Sequence, residues 1–97
     1  MSEEKTIVLD LTDCKYLGEL HERIRIAFDF PEWYGKNWDA FWDFLQTECD
    51  AEMVEIVGEH TLPKEFLPQL ELMHSVLSDM KIEDAKYGWN FDYKIIS

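Results

Sequence analysis

The sequence predicts a two-layer α/β fold, with three to four helices packed against a three-stranded parallel sheet. Three observations predict it. Short apolar runs rich in β-branched residues alternate with stretches of helical periodicity. The segments joining those runs are helices rather than tight turns, which implies parallel strands and right-handed crossovers. The 97 residues hold about three such strands, so residues 1–97 are expected to form a single domain.

The first element is "KTIVLDL" (5–11), short, β-branched and apolar, the pattern of a buried strand. Leu17, Leu20, Ile24 and Ala27–Phe28 then recur at helical spacing, which predicts a helix over 17–28 facing inward through those residues. Pro31 keeps it from continuing far. Residues 31–36 read as a loop, with Gly35 able to adopt a backbone angle that other residues resist. Asn37 suits an N-cap, and a second helix is expected over 38–49. "EMVEIV" (52–57) is the second strand, and Pro63 opens a short helical turn. Pro68 suits the first position of a third helix whose Leu70, Met73, Val76, Leu77 and Met80 face inward. "WNFDYKII" (89–96) alternates Trp89, Phe91, Tyr93 and Ile95 with polar residues and reads as the last strand.

Charge narrows the function. The formal net charge is −12 and the pI about 4.4. Such a field disfavours direct contact with nucleic acid or an anionic membrane and attracts basic partners. Residues 29–55 hold eight acids against one base, Lys36, so the charge is concentrated there. Cys14 and Cys49 lack CxxC spacing and read as reduced thiols. "MSEEKTIVLD" has no basic region followed by a long apolar run, and no segment has the length of a membrane span. A cytoplasmic protein is expected.

The densest segment is "PEWYGKNWDAFWD" (31–43). At 3.6 residues per turn, Trp38, Phe41, Leu45 and Cys49 share a core stripe, with Trp42 on its margin. Gln46, Asp39, Asp50 and Asp43 form a contiguous strip beside Trp42. An acidic strip can be a solvated face, and Asp39 gains from the helix dipole in the first turn. Asp43 lies beyond that turn, where a like-charged i, i+4 pair costs about 0.2–0.5 kcal/mol. Unpaired acids beside aromatic residues are the pattern of an interface hot spot for arginine and lysine. Trp38 and Phe41 read as core, whereas Trp33, Tyr34 and Trp42 sit in the loop or on the margin.

"PEWYGKNWDAFWDFL" resembles the signature segment of the barstar family, intracellular inhibitors of barnase-like ribonucleases. Pro31, Glu32, Tyr34, Gly35, Asn37, Asp39, Ala40, Trp42 and Asp43 match as they stand. The likeness extends to "ELHERIRIAFDF", "SVLSDMK" and the closing "IIS", most of the chain. It implies a barstar-like fold and a partner-binding surface that plugs the active site of a basic ribonuclease. Asp43 is then the central charge, Asp39 pairs with a neighbouring arginine, and Trp33 covers the catalytic histidine. Asn37 and Gly35 lend polar contacts at the rim, with Trp42 and Gln46 beside the charges and Asp79 a supporting acid on the last helix. The underlying physics is phosphate mimicry, because a carboxylate offers its oxygens to guanidinium much as a phosphate does. The chain departs from the family pattern at Lys36, at Trp38, after Leu45, and in a longer stretch over 82–94.

The resemblance thus implies an inhibitor, not an enzyme, with no cofactor and no metal. Its partner is expected to be a basic extracellular-type ribonuclease or nuclease toxin, bound by a monomer in a 1:1 complex. His21, His60 and His74 are scattered, and Cys14 and Cys49 have no local histidine, so neither a metal centre nor a thiol nucleophile is signalled. The alternative is an acidic interaction module for another basic protein, without nuclease inhibition.

Overall fold

A computed structural model describes residues 5–49 and 51–96. The chain runs β1 (Thr6–Asp10), α1 (Leu17–Phe28), α2 (Trp38–Thr47), β2 (Met53–Val57), two 3-10 turns (Glu59–Thr61, Lys64–Phe66), α3 (Leu67–Lys86) and β3 (Asp92–Ile96). The three strands form one parallel sheet in the order β1-β2-β3, with Leu9 opposite Ile56 and Ile56 opposite Ile95. The predicted α/β class with three parallel strands is therefore observed.

Two successive right-handed crossovers in one direction put their helices on the same face of the sheet. That has a consequence the β1 sequence did not announce. Ile7, Leu9 and Leu11 are buried, but Val8 between them is 53% exposed. The strand is buried on one side only, because no second helical layer covers the row Val8, Glu55 and Lys94. Glu55 and Lys94 instead form an ion pair across that open face at 3.1 Å.

The core lies between sheet and helices. Leu9, Val54 and Ile56 meet Leu20 and Ile24 of α1, Phe41 and Leu45 of α2, and Met73 and Leu77 of α3, all fully buried. Helix α1 has the expected bounds but a rotated face. Its buried residues are Leu20, His21, Ile24 and Phe28, while Leu17 is exposed. It ends at Asp29, which takes the left-handed conformation usually given to glycine (φ 57°). The Asp29 and Phe30 amides then satisfy the carbonyls of Ile26 and Arg25.

Helix α2 stops at Thr47, two residues short of expectation, and its inward face includes Phe44. In α3, Leu67 takes the first position and Pro68 the second; Leu70, Met73, Leu77 and Met80 face inward as expected, and Val76 is half-buried. Strand β3 is shorter than the alternation suggested. Residues 87–89 close the C-terminus of α3, so the ladder begins only where the Asp92 amide meets the Glu52 carbonyl at 2.9 Å. Trp89, outside the ladder, is consequently exposed, and Ile95, on the edge strand, is also exposed, although Phe91 is buried.

Gly58 leaves β2 with φ 86°, and a Cβ there would lie 2.4 Å from the Thr12 hydroxyl and 2.6 Å from the Thr12 nitrogen. Left-handed strain and a backbone clash coincide at this position. Gly58→Ala is expected to cost at least about 2 kcal/mol in urea unfolding, against about 1 kcal/mol for Gly88→Ala, which has open space but shares the positive φ. Equal costs at the two positions would show that the Thr12 contact contributes nothing beyond backbone strain.

Candidate functional site

The site is a loop and a helix set on a buried aromatic platform. Tyr34, expected near the margin, is buried; its amide closes a turn on the Pro31 carbonyl at 3.0 Å. Its hydroxyl meets Nδ1 of His21 at 3.0 Å. His21 lies on α1, 1% exposed, with its ring 4.4 Å from that of Trp38. Trp38 in turn donates its indole N–H to Oε1 of Gln69 on α3 at 2.9 Å. One imidazole therefore ties the loop and the start of α2 to α1, and Trp38 carries the tie on to α3. Burial holds the His21 imidazole below its ordinary pKa, with Lys36 adding to the effect, and burial pushes the Tyr34 phenol well above its ordinary value.

Phe44 extends this platform, with its ring centre 5.1 Å from Phe30, 5.1 Å from Trp33 and 5.6 Å from Tyr34. Trp33 rests on Phe44 by one side and is 75% exposed. The sequence signal for both His21 and Phe44 was present, since each stands three residues from a core position, Ile24 and Phe41. A polar ring at one and a crowded aromatic run at the other hid it.

The loop itself corrects one expectation. The left-handed residue is Lys36 (φ 52°), not Gly35. Gly35 instead lies in a close approach, since a Cβ there would stand 3.3 Å from both the Ala40 Cβ and Asn37 Nδ2, tighter than an ordinary contact. Asn37 caps α2 as expected, its Oδ1 accepting from the Ala40 amide at 2.7 Å. Its Nδ2 donates to the Gly35 carbonyl at 3.1 Å, so most of this side chain is engaged within the loop. Lys36 turns back toward α1, 3.6 Å from Glu22, and so lies away from the α2 acids.

Asp39 and Asp43 project from α2 and are exposed. Among the described residues, no cation pairs with either carboxylate and no hydrogen bond reaches them. Trp42 is half-buried beside them, packed against the core. Gln46 continues the strip and borders a hollow of about 240 Å³. The α3 acids lining that hollow are Glu83 and Asp84, which the sequence reading did not single out; Asp79 is exposed on α3 and lines no part of it. Asp50 lies outside the described residues. The structure thus brings Trp33, Gly35, Asn37, Asp39, Trp42, Asp43 and Gln46 onto one loop-helix unit, with Asp79 on a different helix.

Such a surface can bind cations. No group of three or more His, Cys, Asp or Glu side chains among the described residues is placed to hold a metal ion. No helix among them is long and apolar enough to cross a membrane.

The family model described as Barstar (barnase inhibitor) matches residues 4–95. A protein of Bacillus subtilis (strain 168) named "Putative ribonuclease inhibitor YrdF" is 27% identical over 84 residues, covering 81% of this chain and 92% of that protein.

Because His21 is buried in its neutral form, the unfolded chain gains a proton that the folded chain refuses. Its contribution is complete above the ordinary imidazole pKa of 6.5 and diminishes as pH falls through that value. The stability gap between wild type and His21→Gln, measured by urea unfolding, should therefore narrow from pH 7.5 to pH 5.5. A gap independent of pH would contradict the neutral buried ring.

Proposed function

This chain belongs to the barstar family, and from that premise we propose that it inhibits a basic ribonuclease or nuclease toxin by covering its active site. The observation that carries the reading is the pair Asp39 and Asp43, exposed and unpaired beside Trp42 on a helix whose other face is locked into the core. A site that binds RNA phosphates is lined by cationic and hydrogen-bonding groups. Carboxylates held at the right spacing satisfy those groups without offering a bond to cleave.

In this reading Asp43 enters the phosphate-binding cluster and Asp39 takes an adjacent arginine. Trp33 lies over the catalytic imidazole of the nuclease. Gly35 and Asn37 supply polar contacts mainly through the backbone, because the Asn37 amide is engaged within the loop. Trp42 and Gln46 flank the charges, and Asp79 supports them from α3. The carboxylates arrive on a frame that needs no rearrangement, which limits the ordering cost of binding. Inhibition is by occlusion, without chemistry, in a 1:1 complex with a cytoplasmic inhibitor.

The test is RNA cleavage by barnase, and by any basic ribonuclease retained on the immobilised chain, with increasing inhibitor. Asp43→Ala should weaken inhibition by at least about 2 kcal/mol, roughly thirtyfold. Its thermal midpoint should stay within a degree or two (about the effect of a few tenths of a kcal/mol) of wild type, since it removes only a like-charge neighbour of Asp39. Undiminished inhibition by this variant would remove Asp43 from the centre of the interface, and binding without inhibition would leave an interaction module in place of an inhibitor. Association should also slow steeply as salt rises from 50 to 500 mM (about a threefold drop in Debye length), because exposed charges steer the encounter. A flat salt profile would point to a mainly apolar contact.

A further inference from the structure

Strand β1 is an edge strand, since the sheet runs β1-β2-β3. Its ladder to β2 uses the odd-numbered residues. The Lys5 carbonyl accepts from the Met53 amide at 3.3 Å, and the Leu11 amide donates to the Val57 carbonyl at 2.8 Å. By the alternation of a strand, the amides and carbonyls of Thr6, Val8 and Asp10 therefore point away from the sheet. A row of such groups is a template for another strand. Its surroundings are apolar as well. Val8, on the open face, is 53% exposed, and Ile26, on the helical side, is 63% exposed. The two line a hollow of about 230 Å³ with Asp10, Arg23 and Ala27.

One end of that row is closed. Nη1 of Arg23, on α1, donates to the outward Asp10 carbonyl at 3.0 Å and to the Thr12 carbonyl at 3.1 Å. The Asp10 carboxylate accepts from the Thr12 amide at 2.9 Å. Glu19 steadies the guanidinium from one helical turn earlier, at 3.7 Å. No such cover reaches the outward groups of Thr6 or Val8 among the described residues. Strand β3, the other edge, is capped by a similar device. Its outward Tyr93 amide donates to Oδ1 of Asp92 at 2.8 Å, and Lys81 holds that carboxylate at 3.0 Å.

The strand that fits the rest of the β1 edge is β1 of a second copy. Turned antiparallel about a two-fold axis at Val8, it sets Val8 against its own counterpart and Thr6 against Asp10, so no like charges face each other. The Thr6 amide of each copy would then need the Asp10 carbonyl that Arg23 holds. We propose that Arg23 is an autoinhibitory contact, which occupies the Asp10 and Thr12 carbonyls and so stops β1 from pairing with β1 of a second copy. Pairing must first break charge-assisted hydrogen bonds in both copies. Arg23 acts in this way whether or not α2 binds a nuclease.

The test is sedimentation velocity of the full chain from about 20 to about 500 μM, which brackets a dissociation constant of about 10⁻⁴ M. Wild type should sediment as a monomer throughout. Arg23→Met keeps the apolar stem and removes the donors, and it should dimerise, with a dissociation constant lower by at least about tenfold. Arg23→Gln should do the same. Both should keep a cooperative urea transition, since the Arg23 side chain is 32% exposed. Each variant removes a positive charge from a chain of net charge −12, which by itself opposes self-association. Arg25→Met changes the charge equally and should stay monomeric. In the dimer, hydrogen exchange at the Thr6 and Val8 amides should slow by at least about tenfold. Adding Val8→Lys, which sets two ammonium groups face to face on the axis, should restore the monomer. The proposal is overturned if both Arg23 variants remain monomeric, if Arg25→Met dimerises equally, or if the dimer survives Val8→Lys. It is overturned equally if wild type already pairs through protected Thr6 and Val8 amides.

Discussion

The burial of His21 is the constraint on which the rest of the surface depends. A polar ring can sit in a core only if its nitrogen finds a partner and its faces find packing. Tyr34 supplies the first and Trp38 the second. Those two residues belong to the loop and to the first turn of α2, so satisfying one imidazole also fixes the segment that carries the acids. The indole of Trp38 both covers the His21 ring and reaches Gln69 on α3.

On that platform the charges can remain unsatisfied. The acids of α2 are not neutralised from within, and the nearest loop cation, Lys36, is drawn to Glu22 on α1. The chain accepts a modest electrostatic cost along α2 and keeps the carboxylates of Asp39 and Asp43 exposed. A flexible acidic tail would carry the same charge, but it would lose conformational entropy on binding that this helix has already lost on folding.

The two flanks of α2 are built by the same device. Helix α1 ends through left-handed Asp29 and feeds the loop that lifts Trp33; helix α3 ends through left-handed Gly88 and lifts Trp89. Each turn satisfies carbonyls of the last helical turn with two backbone amides, and each exposed indole keeps one aromatic neighbour, Phe44 for Trp33 and Tyr87 for Trp89.

How legible this was in the sequence depends on range. Helix α1, the Asn37 cap and the 3-10 turn at Pro63 were readable because periodicity, capping and proline geometry act within a few residues. Family membership was readable because "PEWYGKNWDAFWDFL" preserves an unusual order of loop, cap and charge residues. His21 and Phe44 were not readable as buried, since a polar or crowded residue goes inside only when a distant element supplies its partner or its cover. The exposure of Val8 was hidden likewise, because whether both faces of a sheet are covered is set by the direction of its crossovers. The amino-acid sequence by itself determined the elements, the charge and the identity of the acidic helix, all local or compositional properties. Only the tertiary structure decided that the glycine of the loop serves close approach rather than a positive φ, that the acids stand unpaired, and that Arg23 closes one end of the β1 edge. Those are contacts between segments far apart in the chain, and no local spacing encodes them.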